Sequence, residues 1–177
     1  MKLNLGCGND IREGWVNLDI NKKEGVNVVH DLNEVPLPFE DNSFNYILCK
    51  DILEHVDYVI LMNELHRILK KEGILRIRVP HFTSKSNYAD PTHINLFSSN
   101  TFYYFVKKIH FSYDRNVNLF SKIIVRIKLE KFKIFILKFI FNFLERWINK
   151  SFRHQYAYER TFLRTCPAEC IEIILKK

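Results

Sequence analysis

The stretch that decides the fold is Met1-Lys2-Leu3-Asn4-Leu5-Gly6-Cys7-Gly8-Asn9. Residues 2–5 read as a short strand, and it runs directly into two glycines separated by one residue. Glycines placed just after a strand let the backbone approach a ligand closely. Two nucleotide-binding patterns share this opening. The dinucleotide pattern G-x-G-x-x-G fails because position 11 is Ile, and the phosphate loop fails because no Gly-Lys-Ser/Thr comes after the glycines. NAD therefore falls behind, and the strand ends beyond the glycines must decide the ligand.

Working outward, short apolar strands alternate with turns. Trp15 to Ile20 alternates and predicts a second strand ending in Asp19, and Val26 to His30 predicts a third ending at Asp31. Pro36-Leu37-Pro38 forbids regular structure, and Glu40-Asp41-Asn42-Ser43 reads as a turn. Phe44 to Cys49 is an apolar run of the kind found in strands buried on both faces. From Asp57 to Lys71 the period is helical, with Ile60, Leu61, Leu65, Ile68 and Leu69 on one face. Lys70 and Lys71 stand at the negative end, and Gly73 serves as a left-handed stop. Ile74 to Val79 is a fifth strand closed by Pro80. This alternation predicts a parallel α/β sheet. Only residues 6–14 separate the first two strands, so the first crossover helix must be shortened to about a single turn.

Three successive strand ends thus carry Gly6/Gly8, Asp19 and Asp31. In open α/β sheets ligands sit outside the carboxyl ends of the strands. A carboxylate at the second end can take both hydroxyls of a ribose, and one at the third can accept from the adenine amino group. Either aspartate alone reads better as a turn or cap residue; together, in register, they point to a nucleoside.

These residues, with Pro36 to Phe44, Leu53-Glu54-His55-Val56, Glu64 to Lys70 and Gly73-Ile74-Leu75, resemble the ordered motifs of class I S-adenosylmethionine (SAM)-dependent methyltransferases. The nearest likeness is to the short, type 11-like group, and it covers residues 1–97 and, more weakly, the terminal strand. The resemblance implies a Rossmann-like, mostly parallel, seven-stranded α/β sheet with helices on both faces and a helical insertion before the last strand. It implies SAM as cofactor. Gly6, Cys7 and Gly8 would border its methionine part, Asp19 and Ile20 its ribose, and Asp31 and Leu32 its adenine. Lys50, Asp51 and Leu53 would line the sulfonium side. Asn4, where many relatives are acidic, and Asn9, where Thr or Ser is common, depart from the pattern.

Methyl transfer is a displacement at an already activated carbon, so positioning dominates and no metal is required. A hydroxyl or amine acceptor benefits from a general base. The polar stretch past the fifth strand offers His81, Tyr88, Asp90 and His93, of which His93, Asp90 and His81 are the catalytic candidates. His55 is expected to shape the cofactor pocket.

The second half is read for organisation. The 177 residues fit one domain, with 1–97 binding cofactor and 98–177 forming an acceptor or cap half. Ser98 caps an expected helix over 99–108, two strands are expected within 111–129, and 131–149 is helical and apolar over more than half its circumference. Lys131, Lys133 and Lys138 interrupt that apolar surface, so it is a poor spanning segment. It reads first as a core or cap helix, then as a dimer surface or an interfacial anchor. Cys170 to Leu175 alternates as a closing strand. The net charge of +7 suits phosphates, nucleic acid or an anionic membrane, or simply a lysine-rich surface. Cys7, Cys49, Cys166 and Cys170 form no disulfide or zinc framework and are read as ordinary thiols in a cytoplasmic protein. The expected acceptor is a small molecule, lipid or glycan precursor. The alternatives are an RNA methyltransferase, which lacks an aromatic-basic RNA module here, or a non-catalytic module of the same fold.

Overall fold

In the computed structural model, which describes residues 1–106, 119–131 and 135–177, seven strands form one sheet in the order β3-β2-β1-β4-β5-β7-β6. The strands are β1 (Lys2–Leu5), β2 (Val16–Asp19), β3 (Val28–Val29), β4 (Phe44–Lys50), β5 (Leu69–Pro80), β6 (Lys122–Leu129) and β7 (Ala168–Lys176). The first five are parallel, and β7 runs antiparallel to both β5 and β6.

The register aligns one apolar face across the sheet. Val16, Leu3, Ile47, Leu75, Leu175 and Ile123 succeed one another from strand to strand, and Leu18, Leu5, Cys49, Ile77, Ile173 and Val125 form the next row. Almost all of these side chains are buried, and burying each aliphatic one contributes about 1.5–3 kcal/mol. Helix α1 (Tyr58–Ile68) packs onto this face through Leu61, Met62, Leu65 and Ile68, joined by Phe97, Phe102 and Phe105. Asp57 caps α1, its carboxylate accepting from the amides of Val59 and Ile60.

The opposite face alternates to polar residues: Lys2, Asn4, Tyr46, Lys50, Arg76, Arg78, Glu172 and Arg126. In the middle of β4 the run Ile47-Leu48-Cys49 is buried on both faces as expected, while Asn45 and Lys50 toward its ends are exposed. A groove of about 570 Å³ crosses this face between Arg12 on one side and Asn142 and Glu145 on the other.

The connections are the unusual part. Turns, not helices, link β1 to β2, β2 to β3 and β3 to β4. The first crossover is thus shorter even than the single turn expected. Side-chain networks hold these turns in place. Asn17 Oδ1 accepts from Arg12 N–H and Asn17 Nδ2 donates to Arg12 O, while Asn4 Nδ2 donates to Asp10 O at 2.6 Å. Farther along, Arg67 donates to the carbonyls of Leu37 and Phe39 and to Asp41 and Glu64, clipping the proline segment onto α1.

Helix α1 also ends earlier than its period suggests. Leu69 is pulled into the sheet, where it pairs with Phe44, so Lys70 and Lys71 belong to β5. Glu72, not Gly73, takes the left-handed conformation, at φ 65°. Gly73 is required for a different reason: a Cβ there would lie 2.7 Å from Lys70 O.

The second half adds a short helix α2 (Ser86–Ala89), a 3-10 turn at Thr101–Phe105 in place of the expected helix start, α3 (Phe135–Ile148) and α4 (Phe152–Arg160). Of the two strands expected within 111–129, β6 is one. Residues 107–118 and 132–134 lie outside the described residues, so the rest of those expectations falls there. Leu144, Trp147 and Ile148 of α3 join Ile127, Leu129, Tyr158 and Ala168 in a second, smaller core. The beginning of α3 departs from the core or cap expectation: Phe135, Phe139, Ile140 and Phe143 are exposed. No helix among the described residues is long and apolar enough to cross a membrane.

Candidate active site

The glycine corner is built by φ. Gly6 and Gly8 take φ of 62° and 53°, values that disfavour any residue with a side chain. A Cβ on Gly6 would lie 2.5 Å from Ile52 Cγ1, whereas one on Gly8 would project into open space. Gly8 also lines a pocket of about 240 Å³, together with Asn4, Gly6, Cys7, Asn9, Asp10, Lys50 and Asp51. Thus Gly6, Cys7, Gly8, Lys50 and Asp51 come together at the carboxyl ends of β1 and β4.

Asp19 is 7% exposed and ties this corner to β2. Its Oδ2 accepts from Gly8 N–H at 2.7 Å and its Oδ1 from Asn21 N–H at 2.9 Å. The turn-and-cap reading of Asp19 is therefore realised, and lone pairs remain for a further donor, since a carboxylate offers about four acceptor sites. Asp31 likewise accepts through Oδ1 from Asn33 N–H. Leu32 is buried, Ile20 is exposed, and Leu53 sits wholly in the core. Asp51 holds φ 53°, an uncommon conformation for a non-glycine residue, and pairs with Arg78 at 3.1 Å. Burial raises its carboxyl above the usual value despite Arg78.

Asp51 is also where a second pocket begins. This one, of about 500 Å³, is lined among others by Glu54, His55, Arg78, Asp90, His93 and Glu169. The loop after β5 brings its far side in. Ile94 N–H donates to Glu54 O, and Asn95 Nδ2 donates to the carbonyls of Leu53 and Val56, so His93 is held over the 3-10 turn Leu53–His55. The His55 and His93 rings meet edge to face at 4.7 Å. Asp90 Oδ2 stands 3.8 Å from His93 Nε2, and Asp90 Oδ1 accepts from the amide and hydroxyl of Thr92, which hold its carboxyl below the ordinary value. Glu54 is 1% exposed, and burial pushes its carboxyl up to about 7.

His81 does not share this pocket. It is fully buried, with Nδ1 accepting from Thr83 N–H and Nε2 donating to Glu159 Oε1 at 3.2 Å. The same Glu159 oxygen accepts from Ser99 N–H. His81 therefore ties the loop after β5 to α4 and is removed from the catalytic candidates. Tyr88 is 80% exposed. Sequence pattern alone misses Glu54, whose burial no local signal announces, and Glu159, which lies 78 residues from its partner.

Comparison with known proteins fits this layout. Residues 3–77 match the family model described as a methyltransferase domain. The solved structure of a SAM-dependent methyltransferase from Archaeoglobus fulgidus superposes with a TM-score of 0.61 at 21% identity, over 99% of this chain and 85% of the other. The chain has the fold of that methyltransferase, and its first half resembles a methyltransferase domain. Among curated relatives, an uncharacterized protein of Methanocaldococcus jannaschii is 33% identical over 44% of this chain and 39% of its own length. The demethylmenaquinone methyltransferase of Staphylococcus haemolyticus is 34% identical over 38% of this chain and 30% of its own. The chain thus spans well under half the length of these relatives. The glycine corner, Asp19 and Asp51 fall at the ends of β1, β2 and β4, where the sequence resemblance expects the cofactor.

Proposed function

We propose that this chain is a SAM-dependent methyltransferase, with the cofactor over the Gly6–Asp10 corner and the acceptor in the neighbouring pocket. One observation carries the reading: the two pockets meet at Asp51, so a donor in the first faces an acceptor in the second. The residues present fit SAM. Gly8 leaves the space that a side chain would fill, and Asp19 keeps acceptor capacity at the second strand end. Bound there, SAM supplies an electrophilic methyl group. The protein's own task is alignment and exclusion of water, with His93 positioned at the acceptor and Asp90 to take the acceptor's proton.

Calorimetric titration with SAM, its demethylated product and NAD tests this, with Asp19→Ala as control. Selective binding of SAM or its product, weakened at least tenfold in the control, is the expected result. Absence of binding to both would leave a non-catalytic module of the same fold.

The surface of α3 bears on where the acceptor is met. Phe135, Phe139 and Phe143 recur every fourth residue along α3, forming one exposed stripe with Lys138 and Arg146 beside it. With a net charge of +7, this face suits the surface of an anionic bilayer, and the proposed occupant is such a surface presenting a lipid-borne acceptor. Sedimentation with anionic vesicles at low salt, lost in Phe139→Ser/Phe143→Ser, supports it; equal indifference to anionic and neutral vesicles refutes it.

A further inference from the structure

The acceptor pocket holds a group of side chains that alignment of a methyl group alone does not call for. Glu54, His55 and His93 each offer one ligand atom, and the three atoms lie within 4.8 Å of one another. Glu54 Oε2 and His93 Nδ1 are both buried and have no hydrogen-bond partner. An unpaired buried carboxylate is costly, and folded proteins resolve the cost with a proton, an ion pair or a metal. Among the described residues no cation forms an ion pair with Glu54, and Arg78 is taken by Asp51 and Glu169.

The hydrogen bonds around the cluster also set which nitrogens are free. Thr92 has one hydroxyl proton and gives it to Asp90 Oδ1 at 2.6 Å. Its oxygen, 2.9 Å from His55 Nδ1, must then accept from that nitrogen, so the lone pair of His55 lies on Nε2. His93 Nε2 faces Asp90, which leaves its lone pair on the unpartnered Nδ1. Carboxylate partners behind ligating imidazoles, direct or through one hydroxyl, are what metal sites use to fix the ring and tautomer.

We propose that Glu54, His55 and His93 bind one divalent transition-metal ion, of the zinc class, at the acceptor end of the methyl-transfer site. Two imidazoles and one carboxylate select such an ion over Mg2+ or Ca2+, which take oxygen ligands. Ligand atoms around a tetrahedral zinc stand about 3.4 Å apart, so modest side-chain rotation closes the present cluster onto an ion. Three protein ligands leave a position open to the pocket. The acceptor class this implies is one bearing a hydroxyl oxygen that can occupy that position. The ion would lower the hydroxyl's pKa, and the proton would pass to Asp90, which is half-exposed on the same wall. The role of the open position rests on the methyltransferase reading; the metal site itself does not.

The test is titration of chelator-treated protein with Zn2+, and with Co2+ to read visible d–d absorption, alongside Mg2+ and a separate SAM titration of the same sample. The proposal expects one Zn2+ or Co2+ per chain and a rise in melting temperature. It also expects a loss of affinity of at least tenfold in Glu54→Gln and in His93→Gln, but not in Cys166→Ser or His154→Gln. Because Glu54 Oε2 has no hydrogen-bond partner, metal-free Glu54→Gln should melt no lower than the parent, so a lost site and a lost fold are distinguishable. Zn2+ affinity and Co2+ absorption unchanged in Glu54→Gln, or no stoichiometric binding at all, overturn the proposal. Metal binding without SAM binding would sink the methyltransferase reading and leave the metal site standing.

Discussion

Substituting Gly6 by Ala separates two costs that the structure makes unequal at the two corner glycines. Gly6 and Gly8 both take positive φ, so either replacement by Ala incurs about 1–2 kcal/mol of left-handed strain. Only Gly6 is also crowded: its new Cβ would meet Ile52 Cγ1 at 2.5 Å and Cδ1 at 2.7 Å. Ile52 packs against the main core and cannot swing away freely, so overpacking adds about 1–3 kcal/mol. Gly6→Ala should therefore lose about 2–5 kcal/mol and Gly8→Ala about 1–2 kcal/mol. The assay is urea unfolding of both variants, of Ile52→Ala, and of the Gly6→Ala/Ile52→Ala double variant. The cycle should return a favourable coupling of about 1–3 kcal/mol, because truncating Ile52 removes the two clashing atoms. Gly8→Ala should weaken SAM binding despite its smaller stability loss, since Gly8 lines the pocket. Equal destabilisation at the two glycines with no coupling to Ile52 would refute this account of the corner.

The networks that replace helices give three further expected outcomes. Asn4→Asp should destabilise the protein by about 1–3 kcal/mol in the same unfolding assay, because it removes the donor to Asp10 O and sets a buried carboxylate against that carbonyl. Glu159→Ala should lower stability by about 2–5 kcal/mol, since His81 Nε2 and Ser99 N–H both lose a buried acceptor; a loss under about 0.5 kcal/mol would show that the network is dispensable. Glu64 is held below its ordinary value near 4.5 by Arg67, chiefly through their hydrogen bonds, so the unfolded chain has the higher pKa. Its contribution is fully present above about pH 4.5 and is lost as the pH falls through the folded value. Glu64→Gln should accordingly be less stable than the parent at pH 7 and differ less from it at pH 3, and a gap unchanged with pH would contradict this.

The division between sequence and structure is one of range. The alternation of Leu3 and Leu5, of Val16 and Leu18, and of Ile171, Ile173 and Leu175 reports which side of a sheet each residue faces, because side chains on a strand switch sides at every step. The glycine corner, Asp19 and Asp31 were legible for the same local reason: a strand end is where the backbone must turn. The family resemblance then supplied the sheet type, mostly parallel and seven-stranded, which periodicity alone does not contain.

What tertiary structure decided is everything that depends on residues far apart in the chain. His81 and His93 look alike in sequence, twelve positions from each other on one polar stretch. One is sealed against Glu159, and the other is held beside Glu54 and His55 by hydrogen bonds from Ile94 and Asn95. Helix α1 stops at Ile68 although its period continues, because Leu69 gains more as a sheet partner of Phe44 than as another helical turn. Asn4 departs from an acidic pattern, and its reason appears only when the 9–12 turn folds back over β1 without a helix to hold it. Local pattern fixes how a side chain faces its own strand or helix; which distant group it meets is set by packing, and the chemistry of this pocket is made of such meetings.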